Sequence, residues 1–146
     1  MLQNVLVGAY TSGLGHHGAH EVSMESLSRV GLAERAHVAA ERLNLADRRR
    51  LEIARVLALR PRVVLLDEAM SGLNDAELGR MMELVRTLNR DGTTFVLVEH
   101  VMKVVMSLCA RVVVIDHGAV LVEDVPARVV KDRRVIEAYL GQEIDV

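Results

Sequence analysis

The sequence holds a single cysteine, Cys109, in 146 residues. One thiol cannot form an internal disulfide, and no CxxC pair or Cys/His zinc spacing occurs. A disulfide scaffold and a zinc-finger-like module are therefore excluded, and a reducing cytosol is the expected compartment. Long apolar runs are also missing. Uninterrupted stretches such as Val63 to Leu66 and Val112 to Ile115 have the length of a buried strand, far short of the roughly 18 residues that read as a membrane span. No basic-then-apolar leader opens the chain. Excess positive charge is lacking: the net charge is −2 and the pI near 6.3, which removes the electrostatic case for a nucleic-acid binder. Lysine is nearly absent, with sixteen Arg against two Lys, a composition bias rather than a functional signal. No internal repeat or low-complexity segment is visible. What is present is 51% hydrophobic residues, enough for a sizeable core in a length that fits one domain.

Along the chain, Met1 to about Tyr10 is apolar and expected to be helical. Thr11 to His20, TSGLGHHGAH, reads as a loop. Its three histidines, His16, His17 and His20, stand at metal-ligand spacing. No carboxylate or cysteine clusters with them, and an exposed Gly-rich loop accounts for them. A helical tract from Glu21 to Val30 is ended by Gly31, with Leu32 placed for a packing contact after the cap. A third tract covers Ala33 to Leu43. Asp47 to Leu59 is a strong helix, with Asp47 at its start and Leu51, Ala54, Leu57 and Ala58 on one face. Arg48 is expected to pair with Glu52 one turn on. Arg60-Pro61 ends the helix.

After Pro61 the pattern changes. RVVLLDE is a short continuous apolar run, as in a strand buried on both faces. Ser71 to Asn74 is a turn, and Glu77 to Arg90 an amphipathic helix with Leu78, Met81, Met82, Val85 and Leu88 inward. Thr93 to Val98 reads as a second buried strand, Val101 to Leu108 as a helix and Arg111 to Ile115 as a third strand. His117-Gly118 then turns the chain into Ala119 to Glu123, and Pro126 opens a helical region ending near Leu140. The alternation predicts an α/β architecture: a helical portion, then parallel strands alternating with helices, then a hairpin. The expected segments are 1–60, 61–125 and 126–146.

Ligands in open parallel sheets bind outside the carboxyl ends of the strands. Two strands here end in ionisable pairs, Asp67-Glu68 and Glu99-His100. One helix connects them, so both ends can lie at one edge. Two carboxylates and an imidazole there suit a metal-bound phosphate and a water nucleophile. The alternative is that the acids cap the next helix or stay solvated. Met81 and Met82 read as core filling and Cys109 as a small buried hydrophobe.

The order RLEIARVLALRPRVVLLDEAMSGLN, then TFVLVEH, resembles the ATP-binding subunits of ABC transporters, over Met1 to Gly141. Within that superfamily it is most similar to the branched-chain amino-acid uptake ATPases, through MLQNVLVGAY, RRLEIAR at Arg49 to Arg55, SGLN at Ser71 to Asn74 and RVIEAYLG at Arg134 to Gly141. The resemblance implies an incomplete P-loop NTPase domain that uses ATP and Mg²⁺. By it, Asp67 is the Walker B Asp that holds Mg²⁺ through water, and Glu68 is the general base toward the attacking water. His100 is the switch His at the γ-phosphate, and Ser71 to Asn74, with Ser71 and Asn74 facing nucleotide, is the loop that crosses to a partner subunit. LNLAD at Leu43 to Asp47 falls where the LSGGQ-type signature belongs, which places Asn44, Ala46 and Asp47 at nucleotide. The implied partners are membrane permease subunits and a second ATP-binding subunit, with no nucleic acid. The implied location is cytoplasmic, peripheral on the inner face of the membrane.

Departures from the pattern are specific. No GxxxxGK[ST] occurs in the sequence, and neither Lys103 nor Lys131 follows a Gly-rich loop. The resemblance thus implies a segment that begins after the phosphate loop and binds ATP weakly or not at all alone. Asn44 stands for the usual Ser, Leu45 and Ala46 for Gly, Ala69 for Pro, Val101 for an acid and Asp124 for Gly. Two functions follow: part of an ATPase subunit that powers import, or a non-catalytic module of the same fold. Either predicts apolar strand faces left exposed.

Overall fold

The computed structural model describes residues 1–140; the end of the expected tail, Gly141 to Val146, lies outside the described residues. The chain divides into two compact units, Met1–Val98 and Glu99–Val146, a partition that differs from the three segments read from the sequence.

The first unit opens with α1 (Leu2–Thr11), α2 (His16–Arg29) and α3 (Leu45–Leu57), which pack on one another. Val5 and Ala9 of α1, Ala19 and Leu27 of α2, and Ile53 and Ala54 of α3 are buried to 2% exposure or less. Each large apolar side chain buried this way contributes roughly 1.5–3 kcal/mol. Ser23 and Ser26 are also buried, and their hydroxyls donate to the carbonyls of Ala19 and Val22 at 2.7 Å, so neither is left unsatisfied. Gly8 lets α1 approach α3 closely: a β-carbon there would sit 2.8 Å from the Arg55 carbonyl oxygen.

Three expectations need correction here. The stretch Thr11 to His20 is not all loop, because α2 begins at His16 with Gly15 as its N-cap. The burial of Ala19 and the packing of α2 on α1 support the helix through a stretch whose glycines disfavour it locally. Ala33 to Leu43 is not a continuous helix but two short 3₁₀ turns, Ala33–Arg35 and Ala40–Arg42. Neither turn buries a side chain, so no apolar stripe supports a longer helix. Arg48 does not pair with Glu52. Its guanidinium donates to the carbonyls of Leu43 and Glu41 at 3.0 and 3.1 Å, and Arg49 makes the contact to Glu52.

The end of α2 follows the expected pattern. Gly31 takes φ +73°, the Leu32 N–H donates to Leu27 C=O at 2.8 Å, and Leu32 is buried.

β1 (Val63–Asp67), α4 (Asp75–Arg90) and β2 (Thr94–Val98) complete the first unit. β1 and β2 pair in parallel, Val63 opposite Thr94 through Asp67 opposite Val98. α4 packs against β2 and α3 with Leu78, Met81, Met82, Val85 and Leu88 buried. The expectation of strands buried on both faces fails. Val64 and Leu66 are buried, but Leu65 is 75% exposed, and Val63, Val96 and Val98 on its face are exposed as well. A continuous apolar run reports a strand that can be covered twice; here one cover is made.

In the second unit α5 (Met102–Leu108) leads to β3 (Val112–Asp116) and β4 (Ala119–Asp124), then α6 (Pro126–Val129) and α7 (Arg133–Leu140). β3 pairs antiparallel with β4, in a two-stranded sheet separate from β1–β2. The third strand of the expected parallel sheet therefore has a hairpin partner instead. A two-residue turn at His117-Gly118, both at positive φ, closes that pairing at small entropic cost. The register shifts by one between Val114 and Ile115, which leaves Leu121 as the extra residue of a bulge.

Candidate functional site

β1 delivers Asp67 and Glu68 to its carboxyl end. Side chains alternate along a strand, so Asp67 shares the open face with Val63 and Leu65. Glu68 follows at φ +46°, a left-handed conformation that a non-glycine residue adopts at a cost of about 1–2 kcal/mol. The turn is fixed at both ends: the Glu68 N–H donates to the Val98 carbonyl at 2.9 Å, and the Glu68 carbonyl accepts from the Ser71 N–H at 3.1 Å. The first bond ties the ends of β1 and β2 together, so the two strand termini lie at one edge. Asp67 and Glu68 are both exposed there.

Asn74 is the N-cap of α4. Its side chain accepts from the Glu77 N–H at 3.0 Å, and the Glu77 carboxylate accepts from the Asn74 N–H at 3.1 Å. This reciprocal capping box is legible in the sequence as Asn-Asp-Ala-Glu. The start of α3 is built alike. Asn44 caps it by accepting from the Asp47 N–H at 2.8 Å. Asp47 is buried and ion-paired to Arg35, with Arg50 at 3.8 Å. The cap is therefore Asn44, and Asp47 is the first-turn acid behind it. Ala46 is buried beside them.

Within this unit the α3 start meets the Ser71–Asn74 turn. Gly72 sits at φ +78°, and a β-carbon on it would come 3.0 Å from Leu45 Cδ2. So Asp67, Glu68 and Ser71 are gathered at the sheet edge, and Leu45 brings the α3 start against the same turn. Sequence reasoning missed Arg35. A partner twelve residues from Asp47, across two 3₁₀ turns, leaves no periodic signal. It also missed the role of Glu77, which the capping-box pattern could have revealed.

His100 belongs to the second unit, two residues past Val98 along the chain, and is exposed. In that unit burial, then the charge of Glu99, raises the Cys109 thiol above its ordinary range. The Arg134 guanidinium lowers the Asp132 carboxyl.

No group of three or more metal-ligating side chains occurs among the described residues. The donor set at the sheet edge still suits Mg²⁺. That ion keeps several waters and takes one or two carboxylates plus substrate phosphates, not an all-protein cage. Asp67, exposed at the strand end, is a donor of that kind.

The fold is that of part of an ATP-binding cassette, within the P-loop NTPase class. A crystal structure of the ADP conformation of MJ1267, an ATP-binding cassette of an ABC transporter, matches with a TM-score of 0.84 at 22% identity, over 97% of this chain and 62% of that one. CbiO1 from Clostridium perfringens, part of the ABC transporter complex cbiONQ, matches with a TM-score of 0.79 at 26% identity, over 91% of this chain and 53% of that one.

Within that class, the chain is a relative of the ATP-binding proteins of branched-chain amino-acid transport. Residues 119–145 match the family described as branched-chain amino acid ATP-binding cassette transporter. The high-affinity branched-chain amino acid transport ATP-binding protein LivG of Escherichia coli K12 is 41% identical over 117 residues, 80% of this chain and 46% of LivG. BraF of Pseudomonas aeruginosa, a protein of the same description, is 40% identical over 125 residues, 85% of this chain and 49% of BraF. The chain thus spans about half the length of these relatives. Among the described residues no helix is long and apolar enough to cross a membrane.

Proposed function

We propose that this chain supplies the signature, Walker B and switch portion of an ATP-binding subunit. That subunit couples ATP hydrolysis to import of branched-chain amino acids or related solutes. The observation that carries the reading is the sheet edge where Glu68, held in a left-handed turn, is bonded to the end of β2 directly after Asp67. Phosphoryl transfer needs positioning and charge neutralisation more than covalent chemistry, and a pair of carboxylates on a backbone held by hydrogen bonds suits that need. Asp67 would hold Mg²⁺ through water, and the ion, when bound, neutralises phosphate charge. Glu68 would accept a proton from the attacking water. His100 is assigned to the γ-phosphate from motif order alone. Ser71 and Asn74 would face a second ATP-binding subunit, and Asn44, Ala46 and Asp47 would present the α3 start to that subunit's nucleotide.

On this reading the chain works on the cytoplasmic face of a membrane, docked on permease subunits through the region Glu21 to Leu43. Neither ATP affinity nor substrate selectivity would reside in the chain alone. A second reading, a non-catalytic module of the same fold, draws on the departures from the signature pattern at Asn44, Leu45 and Ala46.

A chimera separates the two. The chain is joined behind a phosphate-loop half taken from an ATP-binding cassette, and binding and turnover of Mg-ATP are measured. The ATPase reading expects hydrolysis, with Glu68→Gln lowering turnover by about 10²–10⁴ at unchanged ATP affinity. A folded chimera that binds Mg-ATP and is inactive, or is indifferent to Glu68→Gln, overturns it. Calorimetry of the unfused chain should show no micromolar binding of Mg-ATP.

A further inference from the structure

The start of α2 changes what its histidines can do. In a loop, His16, His17 and His20 have no fixed relation; on a helix that begins at His16 they do. Residues four apart lie about 40° apart around the axis, with Cβ atoms about 5–6 Å apart. His16 and His20 are such a pair, and both are exposed. Two histidines at this spacing on one helix face are the arrangement by which H-E-x-x-H helices grip a metal ion. His17 points elsewhere: its Nε2 is 3.2 Å from the Glu21 carboxylate, itself one turn on. His16 meets Tyr10 only edge-on, ring centroids 6.1 Å apart. Among the described residues no protein group hydrogen-bonds the His16 or His20 ring.

We propose that His16 and His20 form a two-imidazole chelate for a late first-row divalent ion, Zn²⁺, Ni²⁺ or Cu²⁺, with water completing its coordination. Neutral imidazole suits these ions, whereas hard ions such as Mg²⁺ and Ca²⁺ prefer oxygen. The site offers two protein ligands, in keeping with the absence of any gathered trio among the described residues. The positive end of the helix dipole opposes a cation in the first turn, and the Glu21 carboxylate, one turn away, offsets it. A bound ion would cross-link the first turn of α2 just after the Ser12–Gly15 connection to α1. The site is independent of nucleotide chemistry.

The test uses the untagged full chain, titrated calorimetrically with ZnCl₂, NiCl₂ and MgCl₂ and melted with and without each. The expected result is one Zn²⁺ or Ni²⁺ per chain, no Mg²⁺ binding, and a higher Tm with Zn²⁺ or Ni²⁺. His16→Ala and His20→Ala should each weaken binding by about tenfold or more, since even outer-shell losses cost that much. His17→Ala should leave it nearly unchanged. Absence of Zn²⁺ and Ni²⁺ binding, undiminished affinity in the His16→Ala/His20→Ala double variant, or an equal loss in His17→Ala would overturn the proposal. All three positions are exposed, so each variant should keep its helix content, which circular dichroism checks.

Discussion

The β1–β2 pair of the first unit is richer in apolar residues than the three-helix group, yet the helices bury a shared apolar core and the strands leave one apolar face open. In α1, α2 and α3 each apolar stripe finds another stripe, and even the buried Ser23 and Ser26 are satisfied by their own backbone. In β1 the two faces diverge at neighbouring positions: Leu66 is 9% exposed and Leu65 75%. The difference lies in the geometry of the elements. A helix makes its hydrogen bonds internally and needs cover on one stripe. A strand has two faces and two edges, and a two-stranded pair supplies cover for neither open edge. The strand pair that carries the candidate carboxylates thus also carries an uncovered apolar face.

The adjacent leucines give the largest test of this contrast. Leu66→Ala should destabilise the chain by about 2–5 kcal/mol, as expected for a buried leucine. Leu65→Ala should stay within about 0.5 kcal/mol, as on an open surface. Urea unfolding of both variants measures the difference, and equal losses would mean that the Leu65 face is covered in solution.

The two Asn caps sharpen the comparison between the helical part and the sheet edge. Asn74→Ala removes one side of a reciprocal box, and Asn44→Ala removes a single bond beside a buried ion pair. Each should cost about 0.5–2 kcal/mol in thermal unfolding. If the caps also serve a nucleotide, the chimera carrying either variant loses ATPase activity beyond what its stability explains.

Glu68 supplies the smallest and most specific test. Its φ of +46° is strained for a side-chain-bearing residue. Glu68→Gly should therefore be more stable than Glu68→Ala by about 1 kcal/mol, although glycine has the more flexible unfolded chain. Equal stabilities would remove the strain assigned to this turn.

Much of the fold is readable without coordinates. The amphipathic stripe of α4, the Gly31 stop of α2, the hairpin turn at His117-Gly118 and the β-branched runs are local patterns with local causes. The order of Asp67-Glu68, Ser71–Asn74 and His100 along the chain is likewise fixed by sequence. Other features come from contacts between distant segments. Packing of α2 on α1, with Ala19 buried, accompanies a start at His16, five residues before the sequence pattern suggests. Arg35 reaches Asp47 across a chain turn that has no periodicity. Whether VVLLD is covered on one face or two depends on neighbours, because a continuous apolar run permits both. The left-handed turn at Glu68 is tertiary as well. Nothing in a Glu favours positive φ, and its backbone bonds to Val98 and Ser71 hold it there.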